Sequence, residues 1–487
     1  MSVPLTLVLT GCATFDASRG HDQVDTLVTE RLGSSTGWGE GAPGGEQIAE
    51  RVDALLEDGL DPDRAVSIAL IHGPAMQETY ASLGISQADL MQAGLISNPS
   101  FSLDVGVPVT HGLFELGGSL VQPIVELLML PMQREAASQG FLSEVLTVAH
   151  EALATAALAK QEVYALQAAT EKLAIAREAL ALQEATADLA ERQRKAGNIN
   201  AMQLAQRKVA YEALRLEVSD MELDVIAHRE RINRLLGLHG ARTQWTLAGA
   251  LPSAPDALGA LEGLERRAIA QRLDIAAARK AIAQLETGAR LARTFRFVGA
   301  VDLGAHTHRD ANGPLLIGPD LTLELPIFDQ RQAVIARLEA QRDQATRRLE
   351  RLSVEARSEV RETQARLQTA LQAVRHLEER VVPLQIAVSE NALLQYNAMQ
   401  FGLYELVEAK REELSARQRA IDARATFWST AAELERVVGG RLSHPDAPEL
   451  PVNAPSEVPS SAAPAVKSHD HGAHPDSSSH SEDSHAP

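Results

Sequence analysis

The residues with the plainest chemical potential lie at the C-terminal end of the chain. His469, His471 and His474 are spaced by one and two residues, and His480 and His485 follow with Glu482 and Asp483 between them. Neutral imidazole is a common ligand for Zn, Cu, Ni and Co, and carboxylates complete such a shell. The preceding stretch, Pro445 to Ala465, is rich in Pro, Ala and Ser and is expected to be disordered. A tail of this kind imposes no coordination geometry, so the expected binding of Zn, Cu, Co or Ni is loose and exchangeable, with no obligatory cofactor. The alternative is a solvated low-complexity tail without ligand function. A second pair, Glu405 and Glu408, lies three residues apart in a helical pattern and so shares one helix face. No Gly-rich phosphate loop, HExxH, GxSxG or paired catalytic carboxylate motif occurs, so no enzyme is expected.

The one cysteine excludes an intrachain disulfide framework and any CxxC metal site. Cys12 closes the short apolar stretch Leu5-Thr6-Leu7-Val8-Leu9-Thr10-Gly11, and Leu9-Thr10-Gly11-Cys12 looks like a bacterial lipoprotein signal, although no Lys or Arg precedes it. The expectation is a signal over 1–12 that leaves Cys12 as a lipid-bearing N-terminus; the alternative is a buried free cysteine. Residues 13–45 are polar and Gly-rich and read as a tether.

These sites sit on a chain of 487 residues, 45% hydrophobic but only 3% aromatic, with a net charge of −19. Ala and Leu carry the apolar load, which favours long, closely packed helices. The acidic balance argues against nucleic acid, because phosphate contacts need clustered Lys and Arg. No run of 18 apolar residues suggests a transmembrane helix, which leaves a β-barrel open.

Proline placement sets the elements. None occurs between Pro131 and Pro252, nor from Pro326 to Pro383, nor from Pro383 to Pro445, and these stretches are built of Ala, Leu, Glu, Gln and Arg. Apolar positions recur at helical spacing, as in Leu142, Val145, Leu146, Ala149, Leu153 and Ala156. The stripe Val360, Thr363, Leu367, Ala370, Val374 and Leu377 steps by three and four, as a coiled coil does. The first long helix is expected from near Met132 to Lys195 and the second from Gln330 to Tyr396, each about 95–100 Å at ~1.5 Å per residue. Each turns at a Gly-containing break, Gly197-Asn198 and Gly402, into a returning helix from about Met202 to Leu236 and from about Leu403 to Val437. Between the helices lie period-two segments: Phe101–Val107, Phe114–Leu120, a stretch around Phe297–Ala305, and Leu321–Leu325.

The order of helix, two strands, long helix, turn and returning helix therefore occurs twice, over 46–250 and 251–442. In the first, strands are expected at about 99–107 and 113–122 and a hairpin at about 130–237. In the second, strands are expected at about 295–306 and 315–326 and a hairpin at about 328–438. Residues 443–487 form the tail. Four strands cannot close a barrel, and an open edge in lipid leaves backbone groups unsatisfied at several kcal/mol each. A barrel of about eight or more strands needs several chains. A small soluble sheet is the alternative for the strands taken alone.

At this point the pattern resembles the outer-membrane efflux protein family, the TolC-like outer-membrane factors. Asp63-Arg64-Ala65-Val66-Ser67-Ile68-Ala69-Leu70 with Pro74 is similar to the family's opening helix, and Gln92-Ala93-Gly94-Leu95-Ile96-Ser97-Asn98-Pro99 to its passage into the first strand. Tyr396-Asn397-Ala398-Met399-Gln400-Phe401-Gly402-Leu403-Tyr404-Glu405-Leu406 resembles its second periplasmic turn. The resemblance spans about Leu60 to Gly440. It implies a mainly α protein with a membrane β-barrel part: a homotrimer whose 12-stranded barrel continues as a periplasmic α-helical barrel.

By motif match, the resemblance places Glu405 and Glu408 at the pore constriction, where three copies would supply six carboxylates that attract cations; the alternative is a solvated helix face. Met202-Gln203 stands at the corresponding place in the first hairpin. Gly197, Asn198, Gln400 and Gly402 would form tips on which a periplasmic membrane-fusion adaptor docks, with Gly197 and Gly402 supplying backbone angles other residues avoid. The implied role is passive conduction from an inner-membrane RND pump across the outer membrane. The histidine tail makes divalent or heavy-metal cations, the substrate of the Cus/Czc-type branch, the leading class. Drug or organic-solvent efflux or type I secretion is the runner-up, and a periplasmic coiled-coil scaffold lipoprotein is the rival of another class.

Overall fold

The computed structural model of the chain describes residues 20–33, 45–107, 115–259, 261–309 and 314–442. Cys12 and the tail histidines His469, His471, His474, His480 and His485 lie outside the described residues.

Four helices come first: α1 (His21–Leu32), α2 (Gly45–Glu57), α3 (Pro62–His72) and α4 (Pro74–Gln92). α3 begins where local chemistry dictates. The Asp61 carboxylate accepts the Arg64 backbone N–H at 2.8 Å, and Pro62 fills the first turn, where no N–H is needed. Two strands follow, β1 (Ser100–Gly106) and β2 (Glu115–Pro123), then α5 (Val125–Lys195) and its returning helix α6 (Ala201–Leu236). A short helix α7 (Leu264–Gln271) leads into α8 (Leu273–Thr294), β3 (Val301–Arg309) and β4 (Leu315–Leu323). The chain then forms α9 (Gln332–His376), a π-helical turn over Leu377–Val381, α10 (Val382–Asn397) and the returning α11 (Leu403–Val438).

α5 has 71 residues, about 107 Å at ~1.5 Å per residue. It starts at Val125, ahead of the expected start near Met132, and carries Pro131 inside. The proline sits in the second turn, where loss of one N–H costs less than ending the helix would. α5 also holds the one stretch, among the described residues, long and apolar enough on composition to cross a bilayer; half of that stretch is buried. α8, α6 and α11 pack along it. Val148, Ala149, Ala152, Ala156 and Ala159 are buried there beside Leu70, Leu236 and Leu273, and the small side chains let helix axes approach closely. A second core joins Val360, Leu367 and Val374 of α9 to Phe427 and Leu434 of α11.

The π turn alters what the coiled-coil pattern predicts. Above it Val360, Thr363, Leu367, Ala370 and Val374 are buried, as the stripe requires. Below it Ser389 and Ala392 are buried while Leu384 and Val388 are exposed. The i→i+5 turn absorbs an additional residue and rotates the buried face by about 100°, one residue's step on a helix. α6 is likewise exposed along an apolar row at seven-residue spacing: Met202, Val209, Leu216 and Leu223.

The four strands make one antiparallel sheet in the order β1-β2-β3-β4. β2 pairs with β3 across the two halves of the chain, Leu120 opposite Ala305 and Gly118 opposite Thr307. The register collects Phe101, Leu103, Val105, Leu116, Leu120, Leu303, Ile317, Leu321 and Leu323 on one face, all exposed. The other face carries Ser102, Asp104, Ser119, Asp302, His306, His308, Asp320 and Thr322, interrupted by Val121 and Leu316. Two strand boundaries differ from expectation. β3 begins at Val301 instead of 295, because α8 runs on through the Phe295 N–H bond to the Leu291 carbonyl and consumes the first apolar pair. β4 ends at Leu323 instead of 326; Glu324 still bonds to Ala300, but Pro326 has no N–H to extend the ladder.

Candidate functional site

The two helical turns at 196–200 and 398–402 place the site residues named from the sequence. In the first, α5 ends with Gly197 at φ +79°, and the Asn198 N–H reaches back to the Gln193 carbonyl at 2.9 Å. That is the bond of a glycine-terminated helix end. Asn200 then caps α6. Its side chain accepts the Gln203 N–H at 2.8 Å, while the Gln203 side chain accepts the Asn200 N–H at 3.0 Å. Gln203 is thereby committed to holding the turn.

The second turn repeats this plan with other residues. The Gln400 N–H bonds to the Gln395 carbonyl at 2.9 Å. The left-handed position is filled by Met399, at φ +58°. Gly402, expected to supply an unusual backbone angle, has φ −77° and ψ 165°, an extended conformation open to any residue. Gly402 caps α11, and Glu405, at the third helical position, folds back over it: a Cβ on Gly402 would lie 2.5 Å from Glu405 Oε2. A carboxylate so placed complements the partial positive charge of the helix N-terminus. Glu405 thus stands at the helix position that Gln203 holds in the first hairpin, without its capping hydrogen bonds.

Glu405 and Glu408 are both exposed on one face of α11. Glu408 pairs with Arg411 on its own helix, so its charge is partly compensated. The residues that join the two turns were not among those the sequence singled out. The Tyr404 hydroxyl donates to Gln193 Oε1 at 2.7 Å, and the Arg207 guanidinium carbon lies 3.9 Å from the Tyr404 ring centroid. One aromatic side chain of α11 therefore holds both α5 and α6. A tyrosine just past a predicted turn, in a chain 3% aromatic, is the signal the sequence offered.

Above the turns a row of polar contacts ties α5 to α11. Lys172 pairs with Asp422 at 2.8 Å, Arg424 with Glu171 at 3.0 Å, and Lys160 with Glu435 at 2.8 Å. Arg424 also reaches Glu378 in the π turn at 3.1 Å. Glu413, 2% exposed, accepts the Ser389 hydroxyl and faces Lys410 and Arg417. Burial pushes its carboxyl up, but the Ser389 hydrogen bond and the two cations outweigh this and leave it below its usual value of 4.5. Higher still, the 5% exposed Arg272 binds Asp274 at 2.7 Å and also Glu359, locking the α7–α8 joint to α9. Burial opposes the Asp274 charge, yet the Arg272 hydrogen bonds hold its carboxyl low. Among the described residues, no group of three His, Cys, Asp or Glu side chains is assembled to hold a metal ion.

No family model matches the sequence, and no curated protein matches it. Solved structures match over most of the chain. They include a membrane protein from Pseudomonas aeruginosa, with 19% identity, 78% of this chain and 92% of that one covered, and a TM-score of 0.66. The outer membrane channel CmeC of Campylobacter jejuni has 16% identity, 81% and 86% coverage, and a TM-score of 0.63. The outer membrane channel MtrE of Neisseria gonorrhoeae, in its open state, has 18% identity, 77% and 88% coverage, and a TM-score of 0.60. The chain has the fold of outer-membrane channel proteins.

Proposed function

We propose that this chain, folded as outer-membrane channels are, is one protomer of a homotrimeric efflux conduit. Three four-stranded sheets close a 12-stranded barrel, and the long hairpins continue it as a periplasmic helical tunnel. The observation that supports this reading is the sheet itself. Its outer strands β1 and β4 each have one edge without a partner among the described residues, and its apolar face, with Phe101 and Ile317 each 72% exposed, is uncovered. In lipid an apolar outer face is favourable, whereas open edges are costly until neighbouring copies pair with them. The exposed rows Met202–Leu223 on α6 and Leu384/Val388 on α10 supply matching apolar surfaces for neighbouring helices.

In this reading the tips at Gly197, Asn198, Gln400 and Gly402 meet a periplasmic adaptor that links the trimer to an inner-membrane RND pump. Glu405 and Glu408 line the narrow inner end, and the Tyr404–Gln193 bond holds that end closed. Conduction is passive. A lipid on Cys12 anchors the chain, and divalent or heavy-metal cations are the favoured cargo because of the histidine tail. The purified protein should run as a heat-sensitive oligomer after detergent extraction from outer membranes and should open cation-preferring channels in planar bilayers. Release by osmotic shock as a soluble chain, with no conductance, would refute the proposal and favour a periplasmic scaffold.

A further inference from the structure

The two halves of the chain meet where β2 pairs with β3, and that internal seam is finished at its helix end by three residues. Pro123 lies opposite Asp302, the Ile124 N–H donates to the Val301 carbonyl at 2.8 Å, and Val125, the first residue of α5, is 7% exposed. The second half repeats the order: Pro326, Ile327 and Phe328 follow β4 as Pro123, Ile124 and Val125 end β2 and open α5. There the seam is open. The Ile327 N–H turns back to the Leu325 carbonyl at 2.8 Å, Ile327 is exposed, and Phe328 is 90% exposed. The other edge of the sheet mirrors this. The chain enters β1 through Leu95 and Ile96, both exposed, and α4 before them carries exposed Ala81, Ile85 and Ala88 at helical steps of four and three. In the second half α8 enters β3 in the same way, but α5 packs on it.

Strand direction brings the two open surfaces together. The sheet is antiparallel throughout, so β4 ends at the end of the sheet where β1 begins. When the open edge of β4 pairs with β1 of a second copy, residues 325–328 of one chain lie beside residues 95–99 of the next. We propose that Ile327 and Phe328 pack against Ile85, Leu95 and Ile96 of a second copy and close the seam between chains as Ile124 and Val125 close the seam within one. The Ile327 N–H then leaves the Leu325 carbonyl and extends the ladder to a carbonyl at the start of that copy's β1. The pairing of copies rests on the channel reading above; the seam adds the side chains that seal the joint between strands and helices. The occupant is protein and not lipid because the matching position of the internal seam, Val125, is covered by protein. Both surfaces are apolar, so one contact removes both from water.

The test crosslinks the full-length protein in outer-membrane fractions. Phe328→Cys is combined with Ile96→Cys or with Leu95→Cys, a short bis-maleimide is added, and the single changes serve as controls for Cys12. Denaturing gels are expected to show linked dimers and trimers for at least one pair and for none of the single changes. A heat-sensitive oligomer that forms without links from either pair overturns the seam and leaves the channel reading standing. Phe328→Trp, reconstituted in vesicles of brominated phosphatidylcholine, is expected to be quenched no more than the parent, which carries Trp38, Trp245 and Trp428. Additional quenching places residue 328 in lipid and also overturns the seam. No oligomer from the parent removes the channel reading, and the seam falls with it.

Discussion

The Tyr404 hydroxyl donates to Gln193 Oε1 at 2.7 Å, joining the first turn of α11 to the last turn of α5 across 211 residues of sequence. Tyr404→Phe keeps the ring under Arg207 and removes only this bond. In the proposed channel, a net loss of about 1 kcal/mol would change the balance between closed and open tips about fivefold. The check is open probability in single-channel recordings of the reconstituted protein. An unchanged open probability would mean that the bond does not hold the inner end shut.

The two turns should differ in their tolerance of side chains. Gly197 is in the left-handed region with open space around it, so Gly197→Val is expected to cost about 1–2 kcal/mol through backbone strain alone. Met399 already bears such strain, and Met399→Gly should be neutral or favourable by less than about 1 kcal/mol, because added chain entropy offsets the relief. Hydrogen exchange of the Asn198 and Gln400 amides, which close the two turns, measures each directly: faster at Asn198 in the first variant, unchanged or slower at Gln400 in the second.

Glu413 links stability to pH. Its carboxyl lies below its usual value of 4.5, so the ionised form is favoured in the folded chain. Its contribution is present above pH 4.5 and is lost as the pH falls through the lowered folded value. Thermal unfolding midpoints should therefore drop with acidification below that point. They should drop less steeply in Glu413→Gln, which keeps a partner for Ser389 without the charge.

Arg272 is a buried cation with two carboxylates. Arg272→Leu leaves the half-buried Asp274 without its cation and should cost about 2–3 kcal/mol. Adding Asp274→Asn should recover part of that loss. Denaturant unfolding of the two variants separates removal of a charge pair from removal of packing, since recovery requires that the orphaned carboxylate be the main penalty.

The two faces of the sheet should tolerate charge differently. Leu120→Arg, on the apolar face near the middle of β2, should destabilise the barrel proposed above by about 2–4 kcal/mol. Ser119→Arg, its neighbour on the polar face, should leave assembly intact. The yield of heat-sensitive oligomer in outer-membrane fractions gives the comparison, and equal loss from both changes would contradict a lipid-facing apolar side.

Much of this architecture was legible in the residues. Long proline-free tracts of Ala, Leu, Glu and Arg mark the helices, because propensity summed over dozens of positions is a strong signal. The alternation in Phe101–Val105 marks a strand, because side chains that alternate in polarity with a period of two segregate onto opposite faces only in an extended chain. The failures share a different physics. The π turn at Leu377–Val381 has the composition of the helix around it, and only its hydrogen-bond pattern sets it apart. Met399 fills a left-handed position that sequence assigns to glycine, and nearby Gly402 drew the assignment instead. Tyr404–Gln193 and Arg272–Glu359 join distant parts of the chain, and no local pattern encodes such encounters. The start of β3 was lost to competition, since Phe295 serves a helix end as readily as a strand.

The π turn carries a mechanical implication. A uniform rod transmits twist without changing what its sides touch. Here the rod is cut into two phases, so its upper length is seated inside its own chain and its lower length offers Leu384 and Val388 to whatever stands alongside. Torque applied by a neighbour to the lower length would be absorbed at residues 377–381 and at the Glu378–Arg424 brace, sparing the core above. In the proposed channel, tips that rearrange would then do so with the strands overhead at rest.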